Sequence, residues 1–175
     1  METWQILLLI VLAIIAGYLI GLFIVLGYGL HTRYKLRHRL EAMNIILYEK
    51  REIIMKLYRY SLEHGALYSE TDTQKIQELE SLSFEKPVFD ITKNAISLQK
   101  SIQTRFSYGI SSNVIYQESK DIQNALIMIA DMDRTLRTSC SLYNADILGF
   151  NYWVNVPGYK WIFCLFNMKT RDPIN

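Results

Sequence analysis

Catalysis and metal binding need paired groups at fixed spacing, and this chain offers few of them. Its three histidines and two cysteines are His31, His38, His64, Cys140 and Cys164. None falls into an H-x-x-x-H or C-x-x-C spacing that would gather a metal. There is no P-loop, no G-x-G-x-x-G and no G-x-S-x-G, so neither a phosphate cradle nor a nucleophile elbow is expected. Glu-x-x-His pairs, which on bundle helices would hold a carboxylate-bridged metal pair, are absent as well. Nothing local supports a meeting of a cysteine nucleophile with a histidine base. Asp131 and Asp133 lie on different faces of any helix that holds them, so they do not form an acid/base pair. No catalytic residue, cofactor or metal is expected, and the chain is read as a non-enzyme.

What remains are residues suited to holding surfaces together. Ala13, Gly17 and Gly21 recur every fourth residue and line one face of a helix, where small side chains let a second helix approach closely. Lys50 and Asp133 each interrupt an otherwise apolar seam, and each must either find a partner or snorkel to the rim. Their pairing with one another is one of these outcomes. Tyr143 and Phe150 sit on a seam, while Asn144 and Asn151, one heptad apart, share the adjacent face. Asn is a mediocre helix former, so its repetition points to side-chain amides bonded to a neighbouring helix or loop, or else to a groove for a peptide or helix.

The elements that must position these residues begin with an uncharged run from Thr3 to Leu30, rich in Leu, Ile and Val. The piece from Trp4 to Tyr28 would be about 37 Å long as a helix, enough to cross a hydrocarbon core of about 30 Å with some tilt. It is expected to be a transmembrane helix. Met1-Glu2-Thr3 supplies an acid where a signal peptide has basic residues, and the run exceeds a signal's ~7–15 apolar residues, so it is expected to remain as an anchor. Trp4 and Tyr28 are suited to the two interfaces. Arg33, Lys35, Arg37 and Arg39 follow the run and no Lys or Arg precedes it. The positive-inside rule therefore predicts an outward N-terminus and residues 31–175 in the cytoplasm. A lone pair of cysteines agrees with a reducing compartment. The basic cluster stops transfer or meets anionic headgroups, and a net charge of only +2 gives no reason to expect nucleic acid as a partner.

The longest element is predicted over Ile122 to Val154. Ile122, Leu126, Ile129, Leu136, Cys140, Tyr143, Ile147, Phe150 and Val154 step by four and three, with Asp133 taking one seam place. A second seam, Leu36, Leu40, Met43, Leu47, Lys50, Ile54, Leu57 and Ser61, lies on a helix from about Tyr34 to His64, broadened by Ile46, Ile53 and Tyr60. Such stripes must cover one another or be covered by other helices. Gly65 and Ser69 to Thr73 end that helix and offer caps for a short one carrying Ile76, Leu79 and Leu82. Pro87 imposes a turn or a kink. Asp90 offers a cap for a segment with Ile91, Ala95, Leu98, Ile102 and Phe106, and Gly109 with Ser111, Ser112 and Asn113 marks a loop. If Pro87 makes a full turn the last long helix opposes the first; if it only kinks, the two run parallel. Pro157-Gly158 closes the last long helix. The aromatic tail Tyr159 to Phe166 either caps a core or dips toward lipid. No stretch has strand periodicity, so the expected class is all-α: a single transmembrane helix over 1–30, then an antiparallel bundle of three to four long helices over 31–175.

Three stretches carry a family resemblance. Tyr143-Asn144, Ile147 and Phe150-Asn151 follow Y-N-x-x-[VI]-x-x-[YF]-N, with Val156-Pro157 after them. Leu165-Phe166-Asn167-Met168-Lys169 is similar to a closing Phe-Gly-Phe-Lys element, and Leu47 to Leu57 to a segment reading L-K-R-R-x-D-L-I-P-N-L. With the N-terminal anchor, the chain resembles the LemA family. It departs at Met55, Cys140 and Val156, where that family has Pro, Arg and Phe. The resemblance implies a membrane-tethered antiparallel helical bundle at a bacterial cytoplasmic membrane, without an established enzymatic activity. The expected partners are the bilayer and either a second copy of the chain or another membrane protein. The alternative is a ligand-binding or enzymatic module with a polar pocket between its helices.

Overall fold

A run of residues without a helix breaker has no reason to stop being helical, and the basic segment after the apolar run contains none. The computed structural model describes residues 3–86, 88–111 and 119–174. In it the apolar run and the helix expected from Tyr34 fuse into one element, α1, Thr3–Glu63. Gly65, in the left-handed region at φ 78°, follows its end, as a glycine free of Cβ strain does past a helix terminus. Ser69 caps α2, Glu70–Ser81, its side chain accepting from the Asp72 amide. Helix α3 is Phe89–Ser111, α4 is Lys120–Val154 and α5 is Lys160–Leu165. No strand occurs among the described residues.

Two local expectations change. Asp90 lies inside the first turn of α3, where its charge favours the helix N-terminus, instead of preceding it as a cap. The loop expected at Gly109 and Ser111 is helical, because a single glycine costs only about 1 kcal/mol in a helix whose apolar face is packed. Ser112 and Asn113, and Pro87 with its expected turn or kink, lie outside the described residues.

The contacts group the chain into two compact units, Met1–Leu36 with Asn144–Pro173 and Arg37–Tyr143 with Ile174–Asn175. In the second unit the seam of α1 is buried at Leu40, Met43, Leu47, Ile54 and Leu57. A core of Ile54, Leu57, Ile76, Leu79, Leu98, Ile102, Phe106, Ile122 and Ile129 draws on all four helices there. Each such side chain contributes roughly 1.5–3 kcal/mol on leaving water. Direction follows from the cross-links. Met43 meets Cys140 and Lys50 meets Asp133, so α4 opposes α1 in this unit. Asn44 meets Thr92 and the Leu47 carbonyl meets Gln99, so α3 runs with α1. Lys75 reaches Ser101 and Asn94 reaches Glu78, so α2 opposes α3.

In the first unit Val25, Leu36, Ile147, Phe150, Val154, Ile162, Phe163 and Met168 are buried. The Tyr28 and Trp153 rings lie 5.2 Å apart and Lys35 Nζ donates to Asp146 Oδ1 at 2.7 Å, so α4 again opposes α1. Gly158, at φ 88°, turns the chain back after α4. Along α1 from Leu7 to Leu12, and on through Ile14, Ile15, Leu19 and Ile20, the large apolar side chains are exposed.

Candidate functional site

In the second unit the seam charges are resolved by each other. Lys50 Nζ donates to Asp133 Oδ1 at 2.5 Å, and Gln103 Nε2 donates to Asp133 Oδ2 at 2.7 Å. The lysine side chain is 3% exposed and the carboxylate 24%, so this is a bonded group at the edge of the interior. Polar side chains above it are also bonded. Gln99 Nε2 donates to the Leu47 carbonyl at 2.7 Å, and Thr92 Oγ1 donates to Asn44 Oδ1 at 2.8 Å. Asn44 Nδ2 in turn donates to the Lys86 carbonyl at 3.2 Å. Asn44, Thr92, Gln99 and Gln103 belong to no motif in the sequence. The available signal was a polar residue at a heptad-like place on each of two helices, which a search by motif passes over.

Asp131 is exposed and faces Arg134 at 3.8 Å, away from Asp133. Cys140 Sγ donates to Met43 Sδ at 3.6 Å, and burial pushes its thiol pKa up. Tyr143 is fully buried, its ring stacked with Phe89 at 6.4 Å. Two surface grooves accompany this unit. One of about 660 Å³ is lined in part by Glu41, Tyr48, Glu49, Arg51 and Phe84, where the Arg51 guanidinium stands 4.9 Å from the Tyr48 ring centre and 5.2 Å from that of Phe84. The other, of about 330 Å³, is lined in part by Ile53, Tyr60, Ile122 and Met128. Neither is lined by Lys50 or Asp133. Among the described residues no group of three or more His, Cys, Asp or Glu side chains is placed to hold a metal.

In the first unit Phe150 is buried and Asn144 half-buried. Asn151 makes a two-way bond with the tail, Nδ2 donating to the Arg171 carbonyl and Oδ1 accepting from the Arg171 amide, both at 2.9 Å. This fixes the chain after α5 against α4. The two glycines of the small-residue face differ. A Cβ on Gly17 would meet open space, whereas one on Gly21 would strike the Tyr159 hydroxyl. A polar aromatic knot lies beside them. Tyr18 and Tyr159 stack with centroids 5.4 Å apart. Tyr18 Oη donates to the Gly158 carbonyl at 3.0 Å. Trp161 Nε1 is within bonding distance of both Tyr18 Oη and the Gly158 carbonyl, at 3.2 and 3.0 Å. Tyr18 belongs to no motif, and its signal in the sequence is a tyrosine well inside an apolar run.

Among the described residues these features define an all-helical class with one helix long and apolar enough to cross a membrane. Scans against protein-family models, curated proteins and solved structures found no match.

Proposed function

We propose that this is a single-pass membrane protein whose apolar N-terminal stretch anchors an antiparallel helical bundle, residues 31–175, at the cytoplasmic face. In this reading it acts through protein–protein contacts, with a second copy or another membrane protein, and not through catalysis. The observation that carries the reading is the exposure of the apolar run: only 6% of its most apolar window is buried. A core helix of a water-soluble domain would be mostly covered, and so large a bare apolar surface needs lipid or protein around it. The length of the run favours an anchor over a cleaved signal. The basic residues from Arg33 to Arg39 favour a cytoplasmic bundle. The mutual bonding of Lys50, Asp133 and Gln103 supports a packing role for these residues over a ligand pocket. The resemblance to the LemA family leads to the same organisation.

Crosslinking in intact membranes, followed by identification of captured chains, tests the interaction role. Recovery of the chain itself or of one membrane protein is the expected result; a monomer with no captured protein would remove it. A reporter fused after Asn175 should be active only in the cytoplasm.

A further inference from the structure

We propose that the aromatic turn after α4 rests in the headgroup layer and sets the end of the hydrocarbon-immersed span at Tyr18, well short of the basic cluster. This rests on the membrane-anchor reading. By sequence the span would reach Tyr28, which would put the turn from Asn155 to Tyr159 inside hydrocarbon. That turn is incompatible with hydrocarbon. Its backbone is not helical, Gly158 is exposed at φ 88°, and Asn155 and Lys160 are exposed. A lipid-exposed non-helical backbone and a lysine ammonium are both excluded from that depth.

The depth of the turn on α1 is fixed by bonds. Tyr18 Oη and Trp161 Nε1 both hold the Gly158 carbonyl, and Tyr159 covers Gly21. Hydrocarbon must therefore end at Tyr18 on this side of the helix. Tyrosine and tryptophan with apolar bodies and bonded polar tips are the residues that settle at that boundary. Trp161, beside Tyr18, is exposed, which leaves an aromatic surface open at the end of the turn. Its chemistry fits the glycerol and headgroup region of a phospholipid layer, with Lys160 as the nearby cation. Arg33 and Lys35 are turned instead to the Phe166 carbonyl and to Asp146.

From Trp4 to Tyr18 the helix rises about 21 Å, less than a core of about 30 Å. Ile20, Phe23 and Ile24 are exposed, so on the face away from the turn apolar surface continues for another turn and the boundary is oblique. Local thinning of the bilayer takes up the remainder.

The test uses the full chain in nanodiscs of phosphatidylcholine and phosphatidylglycerol. With Trp4→Phe and Trp153→Phe, Trp161 is the only tryptophan, and its quenching by nitroxide lipids reports its depth. A nitroxide near the headgroup should quench it about threefold more than one deep in the chains, as for a residue buried only ~5–10 Å into the boundary. Strongest quenching by the deep label, or none by either, overturns the inference. The anchor is read separately from Leu12→Cys in a Cys140→Ser, Cys164→Ser background, using a charged maleimide. Protection of that thiol in nanodiscs and reaction in detergent keep the anchor whatever Trp161 does. Equal reaction in both removes the anchor, and this inference with it.

Discussion

At the scale of single residues, the consequence that matters most is the dependence of Lys50 on Asp133. Removing one partner leaves an ammonium that is 3% exposed without its counter-charge, and breaking such a pair costs about 3–5 kcal/mol. Asp133→Ala should therefore lower the urea midpoint sharply. Lys50→Met with Asp133→Leu should recover most of the loss, since a well-packed apolar pair replaces a desolvated ionic one. If the double variant is as unstable as Asp133→Ala, the charges are not acting on each other. Cys140 gives a pH-dependent prediction. Its folded thiol pKa is raised by burial, so unfolded chains lose the proton first as pH rises. The associated stability is complete below the ordinary thiol pKa and is lost as pH climbs through the raised one. Alkylation at pH 8 should modify exposed Cys164 before half-buried Cys140; the reverse order by peptide mass mapping would contradict the packing against Met43.

At the scale of elements, glycine positions separate contact from vacancy. Gly29 faces Phe163, and an added Cβ would lie 2.5 Å from its ring. Phe163 is fully buried and cannot swing into solvent, so Gly29→Ala should cost about 1–3 kcal/mol by overpacking. A Cβ added at Gly17 has nothing within 4 Å of it, which makes Gly17→Leu the cleaner probe. It should leave the thermal midpoint of the helical signal unaltered while weakening self-association in membranes, if a second copy packs on that face. Gly21→Leu is a poorer probe, because it displaces Tyr159 of the same chain. At the other end of α1, Gly65→Ala forces a Cβ into the left-handed region at about 1–2 kcal/mol, and Ser69→Ala removes the α2 cap at about 1 kcal/mol. Chemical denaturation of each variant checks these values.

At the scale of the whole molecule, anchoring and folding should be separable. Val11 and Ile15 are exposed, so Val11→Arg with Ile15→Arg should not alter the far-ultraviolet circular dichroism. Each charge at the centre of a span costs about 2.5–3.5 kcal/mol of insertion. The double variant should move from the carbonate-resistant membrane fraction to the supernatant. The parent chain should stay with the membrane, and its release by carbonate would be decisive against anchoring. A loss of helicity in the variant would mean that the apolar run is held by protein, not lipid.

Sequence alone determined the periodic part of this protein. The seam on α1 from Leu36 to Ser61 is buried at every place named for it, and α4 begins and ends within two residues of the expected bounds. Spacing of apolar residues along a helix is a local property, readable from neighbours three and four apart. For Asn151 the sequence leaves a structural bond and a binding groove open, and the structure shows its amide bonded to Arg171 of the tail. Only the tertiary structure decided which polar groups meet: Lys50 with Asp133 and Gln103, Asn44 with Thr92, Tyr18 with Gly158 and Trp161. Those meetings depend on helix direction and relative register. Both are set by turns and by the packing of many side chains at once, which no single stretch of sequence encodes.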